Sequence, residues 1–278
     1  MFAKFSRSWA LAKASASVLR SDKELLLFPV ISSIAALLVA ATFLIPIIGL
    51  DLFEGGKMGP LGAVVGFLFY VCQYFVIFYF NTALVGAAMI RLEGGDPTVA
   101  DGLAIAKSKI GVILGYAAIA ATVGIILKAI EERAGFIGQL VIGLIGTAWT
   151  IATALVVPVL VAQDVGPVEA VKQSVLLLKK TWGENIIGAG GIGLAFGLMT
   201  MGVLAVGVAL VIAGAMVSPY LAIGIGVVVV VAVLLLGVIQ AALSGIYSAA
   251  LYRYAMDGHA PAGFDTGALE MAFAPKRR

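Results

Sequence analysis

Uncharged polar side chains interrupt three long apolar runs of this 278-residue chain. Amides and hydroxyls form hydrogen bonds, so a cluster of them in an apolar environment can hold a small polar solute or line a water-filled path. The same groups can instead join neighbouring helices, with each bond contributing less than about 2 kcal/mol. We take as the candidate polar pocket Gln73, Asn81, Gln139, Thr150, Gln240 and Ser244.

Residues that commonly carry catalysis or hold metal ions are scarce. The chain has one histidine, His259, and one cysteine, Cys72, which are too few for a zinc site or an intramolecular disulfide. No H-E-x-x-H motif, phosphate-binding lysine loop or dinucleotide fingerprint occurs in a suitable context. An intramembrane enzyme would have to use surface residues such as Asp96, Asp101 and His259, and nothing in their spacing brings them together. We expect no enzyme activity, no catalytic residue, no metal and no cofactor.

Charged residues are missing from the middle of the apolar runs. Proton pumps and ion-coupled carriers usually keep such a residue there, because it is costly in a membrane and is retained for function. Its absence argues against proton-coupled transport. Sodium coupling through backbone carbonyls or neutral side chains remains compatible with the sequence.

The composition is that of an integral membrane protein. Hydrophobic residues make up 62% of the chain and charged residues 12%, whereas soluble domains carry about 25% charged residues. Mean hydropathy is +1.12, and several continuous apolar runs exceed the roughly 20 residues that cross a bilayer as a helix. The predicted fold class is an all-α bundle with six spanning helices at about 23–48, 61–90, 111–130, 136–162, 186–217 and 220–254.

Three amphipathic stretches precede alternate spanning helices, at about 2–20, 97–109 and 167–182. Their apolar residues recur at spacings of three and four, which places them on one side of a helix. Such helices lie in the lipid headgroup plane or pack on the protein's own cytoplasmic face. The sequence therefore predicts three units of surface helix plus transmembrane hairpin in a single domain, 1–258, followed by a cytoplasmic tail at 259–278.

Helix-start signals lie at the junctions between surface helices and spans. Ser21 and Glu24 have the spacing of a capping box. Asp96 and Pro97 predict an N-cap followed by a first helical residue. Pro167 occupies the equivalent first position of the third surface helix.

Proline and glycine predict two further features of the spans. Pro158, near the inner end of the fourth span, predicts a kink whose freed carbonyl can join a polar site. The glycine-rich run at 188–197 is similar in composition to a nucleotide-binding loop, but inside an apolar span small residues let helix backbones approach closely. Gly193 and Gly197, four residues apart, are the predicted helix-packing contact, within one chain or between copies.

Basic residues are concentrated on one side of the predicted topology. Of the 18 Lys and Arg residues, 15 fall on the side of the surface helices and the termini, and only Lys57, Lys128 and Arg133 fall on the other side. The positive-inside rule therefore places both termini and all three surface helices on the cytoplasmic side of the cell inner (plasma) membrane.

Two motifs carry a resemblance to a known family. The opening motif is Arg20-Ser-Asp-Lys-Glu-Leu-Leu-Leu-Phe-Pro29, and the closing motif is Ala249-Ala-Leu-Tyr-Arg-Tyr-Ala-Met-Asp-Gly258. With them the chain resembles an uncharacterised prokaryotic family of six-span membrane proteins, a domain of unknown function. This resemblance implies no catalytic or ligand-binding residue. The first thirty or so residues are also similar, more faintly, to the start of sulfate-permease-like channel proteins, which implies a channel.

These features support two hypotheses about function. The first is a non-enzymatic scaffold that organises lipids or partners, with the three surface helices as its working face and a well-packed interior. The alternative is a channel or facilitator for a small solute or anion, with the neutral polar residues and the glycines of the fifth span along the route. The expected partners are membrane lipids and either a second copy of the chain or another membrane protein. Nucleic acid is not expected.

Overall fold

A computed structural model describes residues 13–49, 53–54, 57–182 and 190–257. Most of these residues are helical, and six helices are long and apolar enough to cross a membrane. The predicted all-α bundle with six spanning helices is confirmed, and the protein is a multi-pass membrane protein. In chain order the helices are α1 (13–21), the 3₁₀ turn Lys23–Leu26, α2 (Leu27–Gly49), α3 (Pro60–Leu92), α4 (Val99–Ser108), α5 (Ile110–Glu131), α6 (Phe136–Ala152), α7 (Val156–Ala162), α8 (Pro167–Trp182), α9 (Gly190–Val217) and α10 (Pro219–Asp257).

The helices repeat one arrangement three times. A short helix (α1, α4 or α8) precedes each pair of spanning helices, and in the second pair the returning helix is divided into α6 and α7. The two-residue strands β1 (Phe53–Glu54) and β2 (Lys57–Met58) pair antiparallel in the connection between α2 and α3. The predicted tail at 259–278 lies outside the described residues, and so do residues 2–12 of the first predicted surface helix and residues 186–189 of the fifth predicted span.

Helices α3 and α10 are longer than a bilayer requires. They contain 33 and 39 residues, or about 50 and 58 Å at 1.5 Å per residue, against a hydrocarbon thickness of about 30 Å. Their C-terminal parts carry the core. Residues 82–89 of α3 are all buried, and buried residues recur along α10 from Ala242 to Ala255. The first half of α10 is largely exposed and that of α3 is exposed or half-buried, and both are apolar, as lipid-facing segments are.

The short helices pack against this core. In α4, a Cβ on Gly102 would lie 2.5 Å from the Phe28 ring and 2.7 Å from the Ala83 carbonyl oxygen. Helix α4 therefore approaches α2 and α3 as closely as only a glycine permits. Helix α8 buries Ser174, and α1 buries Leu19. Packing on the protein's own surface, one of the two arrangements expected for an amphipathic stretch, describes all three short helices.

The helix start at the first junction differs from the predicted one. The chain is extended at Asp22 (φ −139°), so the N-cap is Asp22 and not Ser21. The Asp22 carboxylate accepts the Glu24 N–H at 3.2 Å, whereas the Ser21 hydroxyl donates to the Val18 carbonyl of α1. The predicted capping box between Ser21 and Glu24 does not form. At the third junction, Pro167 is the first residue of α8.

The second junction also needs a correction. Helix α4 begins at Val99, so Asp96 is not its N-cap and Pro97 is not its first residue. The N-cap is Thr98, whose hydroxyl accepts the Asp101 N–H while the Asp101 carboxylate accepts the Thr98 N–H. This reciprocal capping box satisfies two backbone donors at once, which a lone Asp-Pro start cannot do.

The predicted glycine contact is wrong within the described chain. A Cβ on Gly193 or Gly197 would meet nothing within 4 Å. Close approach of α9 and α10 occurs instead at Gly207, where a Cβ would lie 2.6 Å from Val229, and at Gly214. The hairpin turns at Ser218, so the glycines closer to that turn face the partner helix.

Candidate functional site

One of the six membrane-spanning segments is divided into two helices. The apolar span Phe136–Ala162 is interrupted by a turn at residues 153–155, between α6 and α7. Pro158 lies four residues after Ala154 and has no N–H to donate to the Ala154 carbonyl, and its ring clashes with that carbonyl in a continuous helix. The turn therefore contains Ala154, the residue whose carbonyl the predicted kink at Pro158 leaves without a helical hydrogen bond.

The broken backbone is repaired by a side chain from α8. The Ser174 hydroxyl donates to the Ala152 carbonyl at 2.7 Å and accepts the Leu155 N–H at 3.1 Å. Ser174 is completely buried. Interrupted backbone is tolerated inside a membrane only where such partners satisfy its polar groups. Helix α8 is thus bonded directly to the break.

A half-open pocket of about 290 Å³ lies beside the break. Each of the three hairpins contributes to it: α2 and α3 from the first, residue Ala154 of the break from the second, and α10 from the third. Its apolar walls include Ile77, Phe80 and Leu84. The polar side chains that line it are Ser32, Asn81, Ser244 and Ser248.

The pocket is neutral and its polar groups are largely unsatisfied by protein. No charged side chain lines it in the described part of the chain. Ser248 donates to the Gly245 carbonyl of its own helix at 2.9 Å. Within the described residues, the side chains of Ser32, Asn81 and Ser244 have no hydrogen-bond partner. An unpaired amide or hydroxyl in an apolar environment is costly, so these groups need water or a bound molecule.

The pocket is closed at the end that faces the short helices. A Cβ on Gly245 would lie 2.5 Å from the Leu84 side chain, so α3 and α10 are in close contact there. Beyond this contact, Ala88 and Ala249 are fully buried. None of the described residues that line the pocket lies on the short helices α1, α4 or α8.

The six predicted pocket residues do not converge. Asn81 and Ser244 line the pocket. Gln73 instead donates to the Ala36 carbonyl of α2 at 3.0 Å, which is a bond between helices. The others lie elsewhere: Gln139 and Thr150 are exposed on α6, the Thr150 hydroxyl donates to Gly146 of its own helix, and Gln240 is half-buried on α10 but is not a lining residue.

Sequence reasoning missed two lining hydroxyls. Ser248 follows Ser244 by four residues and so shares its helix face, a signal present in the sequence. Ser32 follows Pro29 by three residues, and both line the pocket. No spacing rule within α2 singles out Ser32 from its neighbour Ser33, which donates to the Pro29 carbonyl at 2.8 Å.

The three junctions form one bonded layer, which we call the junction layer (residues 13–26, 91–109 and 163–182). The Glu24 carboxylate accepts the Val99 N–H at 3.2 Å and so joins the first junction to the positive N-terminal end of α4. Lys109 donates to the Gln163 carbonyl at 3.1 Å and to Asp164 at 3.2 Å, which joins the second junction to the third.

The spanning helices are tied to this layer at their ends. Arg253 of α10 pairs with Glu93, just after α3. Gln163, just after α7, donates to the Tyr252 hydroxyl at 3.0 Å. Arg91 pairs with Asp96 at 3.1 Å within the second junction. The ends of α3, α7 and α10 therefore lie together at the junction layer.

Asp22 is the one buried carboxylate that the described residues place in this layer. Burial raises its pKa, and the bond from the Glu24 N–H and the charge of Arg91 oppose that effect only in part. Its second carboxylate oxygen has no partner among the described residues. No group of three His, Cys, Asp or Glu side chains within the described ranges could hold a metal ion.

The fold and site define a class: a multi-pass helical membrane protein with a neutral pocket where its hairpins meet. The chain belongs to a family of unknown function (DUF6159), whose family model matches residues 60–264. The match covers α3 through α10 and the closing motif, and it leaves the opening motif at 20–29 outside. A search of curated proteins gives no match.

Proposed function

We propose that the protein is a non-enzymatic membrane protein that organises lipids or protein partners through its junction layer. The observation that carries this proposal is the coupling of all three junctions by Glu24, Lys109 and their backbone partners. Such coupling presents three helices as one surface. The blind end of the pocket supports the same proposal, because a scaffold needs a packed interior and no continuous polar path.

The proposed orientation places the junction layer on the cytoplasmic side of the cell inner membrane. Exposed Lys107, Lys172 and Lys179 lie on this layer. Each basic residue near anionic headgroups contributes about 1 kcal/mol of attraction. Anionic lipids are therefore the first partners to test. A homo-oligomer, or a complex with another membrane protein, would use the exposed apolar surface of α6, which has no buried residue within the described chain.

The test measures lipid enrichment around the reconstituted full chain. Replacing Lys107, Lys172 and Lys179 by Gln is expected to reduce the enrichment of phosphatidylglycerol over phosphatidylcholine about tenfold, since three attractions of this size are removed and salt screens part of each. Native mass spectrometry of protein released from mixed nanodiscs gives the ratio of bound lipids.

The matched control replaces the three cations at the opposite end, Lys57, Lys128 and Arg133, by Gln. Both variants lose three positive charges, so a general effect of net charge would lower enrichment equally in each. Equal loss in the two variants would contradict the proposed role of the junction layer.

The alternative function is a facilitator for a small solute. The helix break and the polar pocket favour it, because broken helices form the substrate sites of many transporters. The neutral lining favours an uncharged solute over an anion. Swelling of liposomes that contain the purified protein measures such flux. Asn81→Leu is expected to abolish it, and the absence of flux for polyols, urea and small anions would leave the alternative without support.

A further inference from the structure

The pocket has hydrogen-bonding capacity that the protein does not use. The Asn81 amide offers two donors and one acceptor, and the Ser32 and Ser244 hydroxyls each offer both functions. None of the three has a protein partner within the described ranges. Pro158 has no N–H for the Ala154 carbonyl, and Ala154 lines the same pocket. The pocket therefore offers a ligand both hydrogen-bond donors and hydrogen-bond acceptors.

The lining specifies an uncharged partner. Phosphate or carboxylate would need a cation, and no charged side chain reaches the pocket in the described part of the chain. The volume of about 290 Å³ is also far larger than the shell of a single ion. A glycerol-sized group with several hydroxyls fits this space and this chemistry.

The exposed residues that line the pocket lie in apolar spanning helices. Ile77 lines it and is 44% exposed, within a segment apolar enough to cross a membrane. Ser244 is exposed beside it. The opposite end is closed by the contact of Leu84 with Gly245. A molecule therefore enters from the membrane side, with acyl chains along the exposed apolar halves of α3 and α10.

We propose that the pocket binds the uncharged, hydroxyl-bearing headgroup of a membrane lipid, for which diacylglycerol is the simplest probe. In this arrangement the glycerol oxygens form hydrogen bonds with Asn81, Ser244 and Ser32. The part of the acyl chain next to the headgroup contacts Phe80 and Ile77. The proposal concerns a different part of the molecule from the junction layer, and it stands or falls independently of the function proposed above.

The experiment uses the full chain in phosphatidylcholine nanodiscs and a diacylglycerol that carries a photoreactive diazirine close to its headgroup. Cross-linking is expected to map to residues 77–84 and 241–248, and unlabelled diacylglycerol is expected to compete. Asn81→Leu removes the amide and fills its space, and the apparent Kd is expected to rise at least tenfold. Ser244→Ala removes one bond at an exposed position, with an expected rise of about fivefold.

The control Gln139→Leu makes the same kind of change at an exposed amide outside the pocket and is expected to leave the Kd unchanged. Ser244→Ala keeps the test decisive if Asn81→Leu does not fold. Cross-links spread evenly over α6 and α9, or equal affinity in the Ser244→Ala variant and the wild type, would overturn the proposal. Competition by free glycerol or by phosphatidic acid as strong as that by diacylglycerol would also overturn it, because either result removes the need for an uncharged lipid.

Discussion

At the scale of single residues, Asp22 makes folding sensitive to pH. Burial raises its pKa above the ordinary value of 3.8, so the folded chain binds the proton more tightly than the unfolded chain. The corresponding stability is fully present below pH 3.8 and is lost as the pH rises through the raised pKa. Asp22→Asn keeps an oxygen to accept the Glu24 N–H and removes the charge. We expect its midpoint of thermal unfolding to exceed that of the wild type at pH 7 and to match it below pH 3.8.

Asp101 supplies a control, because its pKa is shifted in the opposite direction to that of Asp22. Hydrogen bonds from the Thr98 hydroxyl and backbone lower its pKa, so its contribution to stability is present above pH 3.8 and is lost as the pH falls through the lowered pKa. Asp101→Asn should lower the unfolding midpoint at pH 7 and have little effect in acid. Shifts of the same sign and pH dependence in both variants would show that burial of Asp22 is not the cause.

The sequence shows which residues carry polar side chains, but it does not show which neighbouring element each of these side chains meets. The sequence identified Asn81 and Gln73 as amides in the same span, eight residues apart. Only the packing decides that Gln73 reaches the Ala36 carbonyl while Asn81 faces a space between three hairpins. A helical period assigns residues to faces, but it cannot say which neighbour each face meets.

At the scale of elements, the bond between α8 and the helix break is the feature most open to test. Ser174→Ala leaves the buried Leu155 N–H and the Ala152 carbonyl without their partner. Each unsatisfied buried group costs about 1–3 kcal/mol, so for the two groups we expect a loss of about 2–6 kcal/mol in the free energy of unfolding. Titration with a denaturing detergent measures this loss. Hydrogen exchange at residues 153–156 should become faster than in the wild type.

Ser108→Ala is the matched control, because its hydroxyl donates to the Ile105 carbonyl of its own exposed helix turn. A change within about 0.5 kcal/mol is expected there. If both variants lost the same free energy, the bond from α8 would not be what stabilises the break.

The same elements show what the sequence could predict and why. Pro158 was sufficient to predict a kink, because a missing N–H acts locally and needs no knowledge of neighbours, but not the division of the span into α6 and α7. Gly193 and Gly197 make no close helix contact within the described chain, because a small residue permits close approach without requiring it. The contacts at Gly207 and Gly214 depend on which residues of α10 lie opposite, and that is set by the turn at Ser218.

At the scale of the whole molecule, the six spans and the three units were predictable. A continuous apolar run of sufficient length crosses the bilayer as a helix, and apolar residues at spacings of three and four place one side of a helix against an apolar surface. The concentration of the core at one end was not predictable in this way. Residues 82–89 are as apolar as the part of α3 before them, and the second half of α10 is less apolar than its first half, since it includes Gln240, Arg253 and Asp257. What distinguishes them is the layer of short helices that surrounds them, which provides the contacts that lipid provides elsewhere.

The proposed function requires that the junction layer lies on the cytoplasmic side of the membrane. Cysteine labelling can test this orientation. In a Cys72→Ser background, we expect Gly135→Cys, in the connection between α5 and α6, to react with a membrane-impermeant maleimide on intact cells. Ser108→Cys, at the end of α4, should react only after the membrane is opened. Both positions are exposed, so a difference in burial cannot produce the contrast. The physical reason is the excess of Lys and Arg at the junction layer, which retains that side in the cytoplasm. The reverse labelling pattern would place the junction layer outside the cell, and its three helices could then not act on cytoplasmic partners or on the anionic lipids of the inner leaflet.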